Sequence, residues 1–347
     1  MKKALILVTG LLAATGLTAL LVRRKRTSSI PYVGSEISWA SWETFKFGAE
    51  TYGSDPVLNA KREVDLLKEA GANIVSMSME KGTFEQNTAK YDEVINYARG
   101  KGMTLLLKVF PEPGTSIPIS EFEAYAVAVA SRYKPAFMEA YNEPFSPCSA
   151  TTWQRVQEAA RLCATRWLVP QHEAEWVAAI RSMVQKVHQV SPNTKVGAES
   201  NVGKFDCGVL DTECYYFQRY ANIEKSPYDW LAIEPINKDE AVKQFAAVDL
   251  YWDRKLPFWV LGLDPGAAGG LNPDNDALRS ESISYTFLEA AKRGFRGFLL
   301  FCTHDHGYSW GQLGANHCGI LDRVTWLPKN SYNVLKQLIS ARARYTD

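Results

Sequence analysis

An excess of charge of either sign is missing from this chain. Lys and Arg number 39 against 38 Asp and Glu, a net charge of +1. The broad basic face that grips nucleic acid is therefore not expected. Histidine is scarce, at 5 residues. None of the six cysteines stands in a CxxC pair, which argues against a zinc ribbon. No GxGxxG follows the first β-type run, which argues against a dinucleotide fold. After Ser29 there is no long linker, no low-complexity tract and no short-period repeat. With 46% hydrophobic and 22% charged residues, disordered and fibrous classes are excluded as well.

Aromatic residues are plentiful: 10 Trp, 16 Tyr and 15 Phe. They suit a large core, and they also suit a surface that stacks on flat apolar ligand faces.

The longest uncharged run stands at the start. Ala4 to Val22 is 19 residues without a charge, preceded by Lys2 and Lys3 and followed by Arg23, Arg24, Lys25 and Arg26. As a helix rising about 1.5 Å per residue it spans a bilayer. Residues 1–29 read as an uncleaved membrane anchor with a basic flank, the alternative being a cleaved secretory signal. Basic residues on both sides leave the orientation unset. Residues 30–347 read as one domain, placed outside the cytoplasm by an anchor or secreted if the segment is cleaved. In an exported chain an even cysteine count permits disulfides. Cys207 with Cys214 and Cys302 with Cys318 would close local loops, and free buried thiols fit equally well.

Beyond residue 30 the chain alternates. Short apolar β-type runs fall at Val33–Trp39, Asn73–Met79, Met103–Phe110, Ala136–Asn142, Thr194–Ser200, Asp229–Glu234, Pro257–Leu263 and Gly297–Cys302. Helix-like stretches follow at Pro56–Ala70, Tyr91–Gly100, Ile119–Tyr133, Glu173–Val190, Leu210–Ala221, Glu240–Trp252, Asp276–Arg293 and Ser331–Ala341. Stop signals such as Ala70-Gly71 and Arg293-Gly294 end several of them. Eight such units predict an α/β fold, a (β/α)8 TIM barrel preceded by an N-terminal hydrophobic helix. A barrel of this kind builds its site from polar residues at the C-terminal ends of its strands.

At the end of the fourth run stands Asn142-Glu143-Pro144. A carboxyl group at the barrel rim can act as general acid, the preceding Asn can hold a substrate hydroxyl, and Pro turns the chain. In this place the motif resembles that of the clan A glycoside hydrolases, the cellulase-like (β/α)8 superfamily. Lys68-Glu69-Ala70-Gly71-Ala72-Asn73 before the second run is similar to theirs, as is Gly319-Ile320-Leu321-Asp322 with Ser331-Tyr332-Asn333-Val334-Leu335 near the end. The resemblance implies a glycosidase acting on β-linked oligo- or polysaccharides with retention and without a cofactor. It implies Glu143 as acid/base and Asn142 as a contact to the substrate 2-hydroxyl.

That chemistry needs a second carboxylate. The family places a Glu after the seventh strand, in a pattern like Pro-x-Trp-hydrophobic-Thr-Glu-x-Gly. Here Pro257-Phe258-Trp259 begins the pattern, but Gly262 stands where the Glu belongs. Asp264, two residues on and on the same face of a regular strand, is the first candidate for the nucleophile. Glu234, at the end of the sixth run, and Glu199, at the end of the fifth, are others. Loss of the nucleophile altogether would leave a catalytically lapsed, membrane-anchored glycan-binding barrel.

Other residues are expected at the mouth. Trp310, after strand eight, and Trp39, after strand one, are candidate sugar platforms, with Trp252 and Trp259 assigned to the core. Glu234 and His304 are candidate substrate contacts. Lys108 or Glu112 could face the mouth from strand three, where the family often has a His. His304 with His306 has the spacing of a metal pair, but too few other His accompany it for a metal site to be expected.

Overall fold

The computed structural model describes residues 30–37, 55–111, 117–140, 170–200, 217–235, 237–263, 276–301, 320–321 and 327–343. Eight parallel strands close into a barrel in sequence order, β8 pairing back onto β1. In chain order they are β1 (Tyr32–Glu36), β2 (Ile74–Glu80), β3 (Thr104–Phe110), β4 (Phe137–Ala140), β5 (Lys195–Ser200), β6 (Trp230–Ile233), β7 (Phe258–Leu263) and β8 (Gly297–Leu300). The helices are α1 (Pro56–Glu69), α2 (Lys81–Gly100), α3 (Ile119–Tyr133), α4 (Pro170–Val190), α5 (Lys238–Tyr251), α6 (Asp276–Arg293) and α7 (Asn330–Ala343). The expected (β/α)8 barrel is present. Of the helix expected at Leu210–Ala221, residues 217–221 are described; 217–220 are helical and Ala221 lies just past the helix.

Local chemistry sets the boundaries. Asp55 caps α1, its side chain accepting from the amides of Val57 and Leu58. Gly71 and Gly294 take positive φ just past the ends of α1 and α6, as the Ala70-Gly71 and Arg293-Gly294 stop signals predict. The second helix differs from expectation. It begins at Lys81 rather than Tyr91, directly after β2, and its φ/ψ leaves the helical range at Asn87. Asn87 and Thr88 turn their side chains back onto the carbonyls of Thr83 and Phe84. Poor helix formers and a local kink hide these early turns from a periodicity reading.

Strand alternation separates two apolar layers. Val33, Val75, Leu105, Leu107, Met138, Val196, Leu231, Phe258, Val260 and Phe298 face outward and pack with the helices in the main core. The residues between them face into the barrel. There Ile74, Leu106, Trp230, Ala232, Trp259, Leu261 and Leu299 form a second cluster, with Tyr32 and Phe137 against it. Trp259 stacks on Tyr32 with centroids 5.5 Å apart and meets Phe137 edge-on at 4.6 Å. Two glycines make the space: a Cβ on Gly197 would lie 2.0 Å from the Trp230 indole, and one on Gly297 would lie 1.7 Å from that of Trp259. Trp259 is a core residue as expected, and Trp252 packs against the main core.

Residues 1–29, with the anchor segment, lie outside the described residues. Among those described, no helix is long and apolar enough to cross a membrane. All six cysteines also lie outside them, so no pairing is described.

Candidate active site

The aromatic plug fills one end of the barrel interior. Further toward the C-terminal ends of the strands, the inward positions change from apolar to charged. On β1 the inward residue is Glu36, on β2 Ser78, on β3 Lys108, on β4 Glu139 and on β5 Glu199. Register sets three of them side by side, Ser78 opposite Lys108 and Lys108 opposite Glu139, while Glu36 pairs with Ser76 and Glu199 lies two residues beyond the partner of Glu139. All five are buried.

Lys108 is the hub. Its Nζ lies 3.4 Å from Glu36 Oε2, 3.4 Å from Glu139 Oε2 and 3.6 Å from Glu199 Oε2. Ser78 Oγ donates to the other Glu36 oxygen. Burial by itself pushes the ammonium toward its neutral form. The carboxylates of Glu139, Glu199, Glu36 and Glu234 outweigh it and hold the lysine well above its usual range. Lys108 is thus charged at any ordinary pH, a cation fixed inside the barrel beneath the strand ends.

Glu234 follows β6 directly. Trp230 and Ala232 face inward, and period two brings Glu234 to the same side. Its backbone carbonyl accepts from Nε2 of Gln244, a fully buried residue of α5, at 3.1 Å. Unlike Glu36, Glu139 and Glu199, which are 2%, 0% and 2% exposed, Glu234 is only half-buried. Of the four carboxylates around Lys108, it is the one with access to solvent.

The seventh strand is irregular where the sequence departs from the family. Register with β8 shifts between Val260 and Leu263, and Gly262 has φ +80°. This is a bulge, and the positive φ there suits glycine. A Cβ on Gly262 would lie 2.9 Å from both Cγ and Oε1 of Glu234. The side chain of Glu234 therefore occupies the space that a side chain at position 262 would need.

Glu234 and Glu199 are both inward at their strand ends, Glu199 buried against Lys108. Lys108 faces the interior rather than the open mouth, because ion pairs on β1, β4 and β5 draw it down. Asn142, Glu143, Asp264, Trp39, Trp310, His304, His306 and Glu112 lie outside the described residues. The bulge at Gly262 interrupts the strict alternation that would place Asp264 beside it. Among the described residues no cluster of His, Cys, Asp and Glu could hold a metal ion. His188 is structural: its Nε2 meets Asp229 Oδ2 at 2.9 Å, and Asp229 also accepts from the Val196 amide.

Two members of the charged layer escape a sequence reading, Glu36 and Glu139. Each is a carboxylate inside a short, otherwise apolar strand. That misfit is the available signal, since a Glu inside a core needs an ion-pair partner, hydrogen bonds or a proton to be held there.

No family model matches the chain, and no curated protein matches it. Solved structures do. The AHE enzyme from Alicyclobacillus herbarius is 14% identical with a TM-score of 0.62, covering 91% of this chain and 98% of its own. A GH5-4 broad specificity endoglucanase from Clostridium longisporum is 13% identical with a TM-score of 0.57, covering 90% and 96%. An exo-β-1,4-mannosidase from Opitutaceae bacterium strain TAV5 is 12% identical with a TM-score of 0.61, covering 92% and 61%. At these identities the likeness establishes the fold alone: the chain carries a (β/α)8 barrel, as these three proteins do.

Proposed function

We propose that this chain is a retaining glycosidase that cleaves β-linked O-glycosidic bonds of an oligo- or polysaccharide. One observation supports the reading above the rest. The fourth strand of a closed eight-strand barrel ends at Ala140, and Asn142-Glu143-Pro144 follows two residues later. Glycoside hydrolases of the same fold support the substrate class.

In this reading Glu143 protonates the departing glycosidic oxygen, and Asn142 holds the 2-hydroxyl of the sugar. A second carboxylate attacks the anomeric carbon. Asp264 after β7 and Glu234 after β6 are the two sources for it. Water then attacks the glycosyl ester and gives its proton to Glu143. Trp310 and Trp39 offer aromatic faces to the sugar, and His304 a polar contact. Residues 1–29 tether the barrel to a membrane on its extracytoplasmic side, or release it if they are cleaved.

A panel of aryl β-glycosides tests the assignment. Glu143→Gln is expected to lower turnover by about 10²–10⁴-fold on substrates with poor leaving groups. The loss should be far smaller with dinitrophenyl glycosides, whose leaving group needs little protonation. Gly262 at the family's nucleophile position favours the rival, a glycan-binding barrel. That protein would show no turnover and would keep its affinity in the Glu143→Gln variant.

A further inference from the structure

The departure at Gly262 looks like the loss of a nucleophile. Around it, the structure shows that the volume in question is filled by a carboxylate from the neighbouring strand. Oε1 of Glu234 lies 2.9 Å from where a Cβ at 262 would be, and the positive φ and bulge at Gly262 clear the way for it. Glu234 emerges from the inward face of β6, with its main chain anchored by the buried Gln244. It is half-buried, whereas the other carboxylates around Lys108 are sealed. Lys108, the fixed cation of the buried layer, is close enough to feel its charge.

We infer that Glu234 is the catalytic nucleophile, delivered from β6 into the space that Gly262 leaves open on β7. The inference rests on the retaining glycosidase reading. One oxygen of Glu234 bonds to the anomeric carbon as the glycosidic C–O bond breaks, and the departing oxygen takes the proton of the general acid. In the second half, water adds to the anomeric carbon and returns a proton to that acid. The ester C–O bond breaks, and Glu234 leaves as a carboxylate. Nothing is oxidised or reduced, and the sum is hydrolysis. Gly262 is then a requirement of the site, since any side chain there would displace the nucleophile.

Covalent trapping tests this on the full chain. 2,4-Dinitrophenyl 2-deoxy-2-fluoro-β-glycosides, gluco and manno, should release a burst of dinitrophenolate and leave a fluoroglycosyl ester. After proteolysis, mass spectrometry should find it on the peptide containing Glu234. A label on Asp264 or another carboxylate would overturn the inference while leaving the glycosidase reading intact. Turnover of the non-fluorinated glycosides with inversion would overturn the inference and the retaining mechanism together, leaving hydrolysis itself. Absence of both burst and turnover across the panel would overturn the glycosidase reading and the inference together. A second measurement uses Glu234→Gly, with its fold checked by circular dichroism. Turnover should fall about a thousandfold or more. Added azide should restore part of it and yield the α-glycosyl azide from a β-substrate. A residue with only a structural role would give no azide product, and that result would also count against the nucleophile.

Discussion

A lysine among four carboxylates carries the electrostatics of this barrel. Removing it leaves Glu36, Glu139 and Glu199 buried without their common cation. Breaking a buried ion pair from one side costs about 3–5 kcal/mol, so Lys108→Met should lose stability on that scale in urea unfolding. A loss under about 1 kcal/mol would show that the ammonium holds little. Gly262 makes a second prediction. Ala there must adopt a left-handed conformation at about 1–2 kcal/mol and press its Cβ on Glu234. In the proposed site, displacing a reacting group by about 1 Å costs about 10²-fold. Gly262→Ala should therefore lower kcat far more than it lowers stability, and equal effects on both would remove Glu234 from the chemistry.

Legibility at this scale was uneven. Glu234 and Glu199 could be read as strand-end carboxylates, because each closes an apolar run. Lys108 could be placed on β3 but not assigned to the interior, since the inward face of a strand is fixed only when the barrel closes. Glu36 and Glu139 lie in strands of five and four residues, too short for alternation to announce them. Gly262 was legible as a departure from a pattern. What compensates for it was not, because the compensation comes from a different strand.

At the scale of elements, the interior is held to size by glycines facing indoles. Gly197→Ala and Gly297→Ala each drive a methyl into a ring, at 2.0 and 1.7 Å. Tyr32, Phe137 and Trp230 surround Trp259 and leave it no retreat. Overpacking of this kind costs about 1–3 kcal/mol. Thermal unfolding should show both variants clearly destabilised, and an unchanged midpoint would mean that the plug is looser than described. Most elements were legible from the alternation of apolar runs with capped helical stretches. Strand ends shifted by a residue or more. The first half of α2 was hidden, because Gly82, Asn87 and Thr88 break a helical pattern that the β2 connection nevertheless forces.

At the scale of the whole molecule, the ring of helices closes where α7 meets α1. The Tyr332 hydroxyl donates to the Leu66 carbonyl at 2.8 Å, and burial raises its phenol to about 12. Lys108 is likewise held above its usual range. Both groups keep their protons in the folded state at pH values where the unfolded chain loses them. Their stabilisation is complete below about pH 10 and is lost as pH rises through the folded values. Denaturation midpoints measured from pH 8 to 12 should be level and then fall. In Tyr332→Phe the fall should be shallower, and an identical fall would separate the phenol from alkaline unfolding.

Retaining hydrolysis of a β-glycoside fixes the anomer in which the first sugar leaves the barrel. Proton NMR of the first sugar released from an aryl β-glycoside tests it most directly. The β-anomer is expected first, with the α-anomer appearing only as mutarotation proceeds. The α-anomer first would contradict it by showing direct attack of water, and an intact substrate would contradict it by showing no hydrolase at all.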